Sequence, residues 1–139
     1  MNIVRADNLF LDSSGLLCAH DENDFRHQIA VEYFRAARRF VTTNYVLAEF
    51  VPLSQARGHD RAESLTYIQD LLLLPRLELV WIDETRHEAA MKLLENRLDK
   101  QYSLCDAVSF LVMNEHQLLH ALTTDHHFEQ ARFVKLLES

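Results

Sequence analysis

Apolar residues along this chain follow two rhythms. Leu9-Phe10-Leu11 is a short continuous run stopped by Asp12-Ser13-Ser14-Gly15, which predicts a buried strand running into a turn. From Asp24 the spacing changes: Phe25, Ile29, Ala30, Tyr33, Phe34 and Ala37 recur at helical intervals, with Asp24 placed to cap the helix. Phe40-Val41-Thr42-Thr43 predicts a second strand, after which Asn44 caps a helix carrying Tyr45, Val46, Glu49 and Phe50, limited or kinked by Pro52. Gly58-His59-Asp60 is a break. Asp60 and Glu63, spaced as a capping box, lead into a helix bearing Leu65, Ile68, Leu71 and Leu72, which Pro75 ends. Residues 77–82 are the clearest strand, and Asp83 caps a helix with Ala89, Ala90, Leu93 and Leu94 inward. A further helix opens at Ser103 and passes through Ala107, Phe110, Leu111 and Asn114. Residues 118–122 predict a strand ending in Thr123-Thr124-Asp125, and 133–136 a last short one.

Strands alternating with helices in this way predict an α/β fold: a three-layer sandwich whose mainly parallel sheet of about five strands is flanked by helices. Its 139 residues suit one domain spanning 1–139. Only two glycines and two prolines argue against an all-β sandwich or barrel, which needs frequent turns. Cys18 and Cys105 are too few for a disulfide framework and have no metal-type spacing. The longest purely apolar run is 71–74, too short for a membrane span, and the first residues carry no apolar signal core. The expectation is a soluble protein of the cytoplasm with no membrane contact.

With 14 basic and 21 acidic side chains the net charge is −7, which is not the usual footprint of a nucleic-acid binder. The placement of particular acids changes that picture. Ligands of open parallel sheets bind beyond the carboxyl ends of the strands. Asp12 and Asp125 each follow a predicted strand, Asp106 lies in the first turn of a helix, and Glu49 lies one to two turns into another. Helices that follow strands begin at that same end, so all four acids can face one pocket. Carboxylates so gathered must take up protons or share a cation, and a hard dication with oxygen ligands, Mg²⁺ or Mn²⁺, is the natural partner. Each acid also has an ordinary structural reading. Asp106 could only favour a helix dipole, Asp12 and Asp125 could only cap helices, and Glu49 could sit on a solvated face. Ser13, Ser103 and Thr123 place hydroxyls beside the acids, where they can orient carboxylates, although Ser103 could equally be a helix cap.

Four segments taken in order resemble the PIN domain family. Leu9-Phe10-Leu11-Asp12-Ser13-Ser14 is similar to its opening strand and acid, and Asn44-Tyr45-Val46-Leu47-Ala48-Glu49 to its second motif. Tyr102-Ser103-Leu104-Cys105-Asp106-Ala107 resembles the third, a Ser-x-x-Asp-Ala helix start, and Thr123-Thr124-Asp125-His126-His127-Phe128 the fourth. The resemblance spans nearly the whole chain and is most similar to VapC-type toxins. It implies a Mg²⁺-dependent endoribonuclease, homodimeric and paired with a cognate antitoxin, with Asp12, Glu49, Asp106 and Asp125 catalytic. Asp12 and Asp106, helped by Asp125, would hold the ion and polarise a water for in-line attack on phosphorus. Glu49 would complete a second ion's shell or act as general base.

Other groups enter the expectation less firmly. Arg35, Arg38 and Arg39 cluster near a helix end, and Arg57 and Arg61 flank Gly58; both sets are candidates for RNA contact or for simple helix-end charges. His126-His127 invites a transition-metal reading, disfavoured because adjacent residues rarely aim at one ion. His59, His87 and His116 fall on polar faces, Trp81, Phe110 and Tyr67 in the core, and both cysteines are expected buried, with no base beside Cys105 to make it a nucleophile. Three alternatives remain at this point: a non-catalytic PIN-fold module binding RNA or protein, a PIN nuclease of RNA processing, and a phosphoryl-transfer domain using Asp12 as nucleophile. The last lacks a second Asp two residues after Asp12 and a late-strand Lys.

Overall fold

A computed structural model describes residues 3–139. Five strands, β1 (Asn8–Leu11), β2 (Arg39–Thr43), β3 (Leu77–Val80), β4 (His120–Leu122) and β5 (Val134–Lys135), form one sheet in the order β3-β2-β1-β4-β5. Every pairing is parallel. Seven helices connect and flank them: α1 (Ser13–His20), α2 (His27–Ala36), α3 (Asn44–Ala56), α4 (Arg61–Leu72), α5 (Glu84–Glu95), α6 (Leu104–Glu115) and α7 (His126–Gln130). The predicted α/β class and sheet are therefore present, with every described strand parallel rather than most of them. No helix among the described residues is long and apolar enough to cross a membrane.

Strand order reverses between β1 and β4, so their carboxyl ends diverge into helices on opposite sides and leave a crevice there. The central strands read as apolar runs because both faces are covered: Leu9, Phe10, Leu11, Phe40, Val41, Ala121 and Leu122 are all fully buried. Phe110 and Phe128 meet edge to face at 5.0 Å and tie α6 to α7 beneath the crevice. Gly15 lets α1 lie directly on the end of β4, since a Cβ there would fall 1.8 Å from the Leu122 carbonyl oxygen. The Asp12 amide donates to that same carbonyl at 3.2 Å.

Several local expectations are corrected. Ser13-Ser14-Gly15 is not a turn but the first residues of α1, an additional helix before α2. Asp24 does not cap α2. Its carboxylate accepts from the Arg26 amide and guanidinium, α2 begins at His27, and Phe25 swings out to 73% exposure. Thr43 rather than Asn44 caps α3, its hydroxyl accepting from the Val46 amide, while Asn44 accepts from the Ile82 amide and pins the end of β3. α3 runs through Pro52 to Ala56. Asp60 stands at the N-cap of α4 without a side-chain capping bond, whereas Asp83 caps α5 as expected. Trp81 is 69% exposed, because Val80 and Ile82 on either side of it take the inward positions. His59, His87 and His116 are half-buried rather than on solvated faces: His116 bonds Glu78 at 2.8 Å, His87 pairs with Tyr45, and His59 lies 3.6 Å from Asp21. Cys18 is buried as expected, but Cys105 only partly so.

Candidate active site

The crevice at the β1–β4 switch collects the acids singled out in the sequence. Asp12 follows β1 and is 5% exposed. It occupies the N-cap position of α1 without capping it; its carboxylate turns instead toward β4, where Oδ2 accepts from Thr123 Oγ1 at 2.7 Å and from Ser14 Oγ at 3.1 Å. Glu49, half-buried on α3, accepts a short hydrogen bond from the Ser13 hydroxyl. Burial of Asp12, opposed by the Thr123 hydrogen bond and reinforced by the Glu49 and Asp106 charges, pushes its carboxyl up to about 7. The cause matters: Asp12, Glu49 and Asp106 are close enough for each charge to be felt.

Asp106 begins α6 in a complete capping box. Ser103 Oγ accepts from the Asp106 amide, and Asp106 Oδ2 accepts from the Ser103 amide, each at 3.0 Å. The capping role read in the sequence is thus real, yet it leaves the carboxyl buried and facing the crevice beside Asp12. Asp125, half-buried at the N-cap of α7, accepts from the His127 amide at 2.9 Å. The His127 ring joins these two acids, its Nδ1 lying 2.9 Å from Asp106 Oδ2 and 3.3 Å from Asp125 Oδ1. Tyr102 packs against that ring edge to face at 5.5 Å.

Two residues here were not singled out from sequence. Ser14 is the hub of the Asp12 network: besides donating to Asp12, it lies 3.1 Å from Thr123 Oγ1 and accepts from the Thr124 amide at 3.0 Å. Reading Ser13-Ser14-Gly15 as a turn hid this, because only a helix aims Ser13 at α3 and Ser14 at β4. His127 was set aside with His126 as an adjacent pair. Contrary to that expectation the pair converges, with ligand atoms of Asp125, His126 and His127 within 4.8 Å of one another, although His126 is largely exposed.

The basic candidates separate. Arg39 begins β2 and pairs with Glu78, and Arg35 and Arg38 stand just before it, at the end of the sheet opposite the acids. Arg57, the C-cap of α3, reaches Asp21 and Asp24 at 3.1 Å each, and Arg61 is an exposed first residue of α4. The Cys105 thiol is pushed well up by burial, with Glu49, Asp12 and Asp106 adding to the effect, so it stays protonated and is no nucleophile.

The PIN domain family model matches residues 9–134. The 23S rRNA-specific endonuclease VapC20 of Mycobacterium tuberculosis, from the CDC 1551 / Oshkosh and ATCC 25618 / H37Rv strains alike, is 32% identical over 130 residues, covering 92% of this chain and 97% of the relative. The crystal structure of M. tuberculosis VapC20, described as a sarcin–ricin loop cleaving toxin, superposes with a TM-score of 0.81 at 26% identity, covering 91% of this chain and 96% of that one. Ordered motifs, parallel sheet and acids at its switch point coincide with these matches, and the chain belongs to the PIN domain family.

Proposed function

We propose that this protein is a metal-dependent endoribonuclease whose catalytic residues are Asp12, Glu49, Asp106 and Asp125. The observation that carries the reading is the gathering of acids at the β1–β4 crevice: Asp12 and Asp106 are both buried there, and Glu49 and Asp106 bear on Asp12 from neighbouring helices. Such a gathering is unfavourable without a compensating charge, and its donors are carboxylate oxygens, so the set fits a hard dication, Mg²⁺ or Mn²⁺. Bound there, the ion would polarise a water and the scissile phosphate.

The residues divide the remaining work. Asp12, Asp106 and Asp125 are the ligands. Thr123 and Ser14 hold Asp12 by its Oδ2, and the Ser103 amide holds Asp106. These contacts fix carboxylate orientation before an ion arrives. Glu49, held by Ser13, would either take the proton of the attacking water or help to hold a second ion. His127 stands between Asp106 and Asp125, within reach of both carboxylates.

The VapC20 relatives, named for 23S rRNA and for the sarcin–ricin loop, support structured RNA as substrate and the toxin of a toxin–antitoxin pair as role. An antitoxin partner and a homodimer complete the reading. Purified protein is incubated with 23S rRNA and with a sarcin–ricin stem-loop in Mg²⁺, Mn²⁺ or a chelator, with Asp12→Asn in parallel. Cleavage that needs the ion and falls about a hundredfold or more in Asp12→Asn is expected, a loss of several kcal/mol of transition-state stabilisation. Equal activity in both preparations would overturn the proposal. Light scattering of the purified chain, alone and with its partner, tests the dimer and the complex.

A further inference from the structure

Next to Asp12 the surface opens into a cavity of about 230 Å³, smaller than the sites that take drug-sized ligands. Leu17 of α1 with Leu53 and Ala56 of α3 form its apolar floor, Arg57 one wall, and Ser14 and Thr124 the rim nearest the acids. Ser14 is the residue whose hydroxyl donates to Asp12, so the cavity and the acid site share a wall.

The charges around this cavity decide what it can hold. Arg26, which also borders it, spends Nε and Nη2 on Asp24 and Nη1 on the Glu138 carbonyl. Arg57 spends Nη1 on Asp21 and Asp24. Two guanidinium groups face two carboxylates, leaving no surplus positive charge for a phosphate. What remains is different in kind. Arg57 Nε and Nη2 and the Thr124 hydroxyl carry no hydrogen bond among the described residues, and the Arg57 side chain, 41% exposed, borders the apolar floor. A planar guanidinium beside apolar side chains, with donors unspent, is the chemistry that stacks and reads an unpaired base. Because the two aspartates hold the Arg57 head before any ligand arrives, little ordering cost is left to be met on binding.

Resting on the endoribonuclease reading, we propose that this cavity is a nucleobase pocket. It receives one unpaired base of the RNA beside the phosphate that lies over Asp12, and Arg57, Leu53 and Thr124 determine which base is accepted there.

The test places 2-aminopurine at each position of a short single-stranded RNA in turn and follows its fluorescence on binding in chelator, where no cleavage occurs. One position is expected to brighten strongly in the wild type, because a base drawn from its strand into a pocket without aromatic side chains loses its stacked neighbours. That brightening should be lost in Leu53→Ala and Arg57→Ala, with the Kd rising about tenfold; Thr124→Val should keep the brightening but change the preferred base. In Mg²⁺, an abasic nucleotide at that position should lower kcat/KM about tenfold for the wild type and no further for Leu53→Ala. Thermal melts identify any variant that has lost its fold, and Leu53→Ala decides the case if Arg57→Ala unfolds. A fluorescence change that depends on no position or survives both variants overturns the proposal, as does an abasic penalty equal in wild type and Leu53→Ala. RNA binding unchanged in variants that lose a protein partner also overturns it and gives the cavity to that partner. Position-specific brightening without cleavage of any RNA would sustain the pocket and sink the nuclease reading instead.

Discussion

Thr123 Oγ1 donates to Asp12 Oδ2 across 2.7 Å, a buried side-chain hydrogen bond between the carboxyl ends of β1 and β4. The two residues stand far apart in sequence, and neither strand alone explains the geometry. The bond favours the ionised form of a carboxyl that burial would otherwise keep protonated. Thr123→Val keeps the shape and removes the donor. Asp12 should then titrate still higher, divalent-ion affinity should fall about ten- to a hundredfold, and stability should drop by about 1–2 kcal/mol. Thr123→Ser should restore most of the ion affinity. Calorimetric titration of all three proteins with Mn²⁺ checks this; equal affinities would show that the hydroxyl does not position Asp12.

Asp12 also sets a pH dependence whose sign is fixed. Its carboxyl titrates at about 7 in the folded chain against 3.8 when unperturbed, so the folded state holds a proton that the unfolded state has released. Metal-free protein should therefore lose stability as pH rises from about 4 to about 7 and level off above, the cost reaching a few kcal/mol. Asp12→Asn should remove that slope and melt higher than the wild type at pH 8 in chelator. Ion binding runs the other way, because it displaces the proton: Mg²⁺ affinity should rise about tenfold per pH unit below 7 and flatten beyond it. Thermal melts and ion titrations across pH 5–9 read both trends, and a flat affinity profile would contradict them.

How much of this was legible in the sequence follows from how local each determinant is. The strands were, because Leu9-Phe10-Leu11 is a short apolar run and Phe40-Val41-Thr42-Thr43 is rich in aromatic and β-branched residues, as a doubly covered sheet requires. The convergence of Asp12, Asp106 and Asp125 was too, since each follows a strand or opens a helix at the same end of that sheet, and Glu49 lies within the first two turns of such a helix. What failed was short-range chemistry settled by distant partners. Gly15 reads as a turn residue until the Leu122 carbonyl shows why no side chain fits there. Asp24 reads as a cap until Arg57, from the end of α3, recruits it into an ion-pair cluster. His127 reads as a surface neighbour of His126 until Asp106 arrives from α6. Trp81 misled in the opposite way: its size suggested the core, but its register on the sheet's edge faces outward.

Gly15 gives the sharpest steric prediction. A methyl group at this position would overlap the Leu122 backbone, which cannot rotate away as a side chain would. Gly15→Ala should force α1 off the end of β4 and cost about 3 kcal/mol or more, despite the better helix propensity of alanine. Because α1 carries Ser13 and Ser14, ion affinity should fall together with stability. A thermal melt and a Mn²⁺ titration of the variant check both, and wild-type stability in Gly15→Ala would contradict the packing described.

Asp24 ties the segment before α2 to the end of α3, with its side chain only 3% exposed and contacts of 2.8 Å to Arg26 and 3.1 Å to Arg57. Those hydrogen bonds, that to the Arg26 side chain foremost, hold its carboxyl far below the usual range. A depressed carboxyl contributes stability that is complete above its unfolded value, near 3.8, and is lost as pH falls toward the folded one. Asp24→Ala leaves Arg26 without its carboxylate partner and Arg57 with Asp21 alone, so the expected cost at pH 7 is about 3–5 kcal/mol. Urea unfolding at pH 7 and at pH 3 separates the causes. If the ion pair carries the effect, the gap between wild type and Asp24→Ala should narrow as the solution is acidified; if packing carried it, the gap would be the same at both pH values.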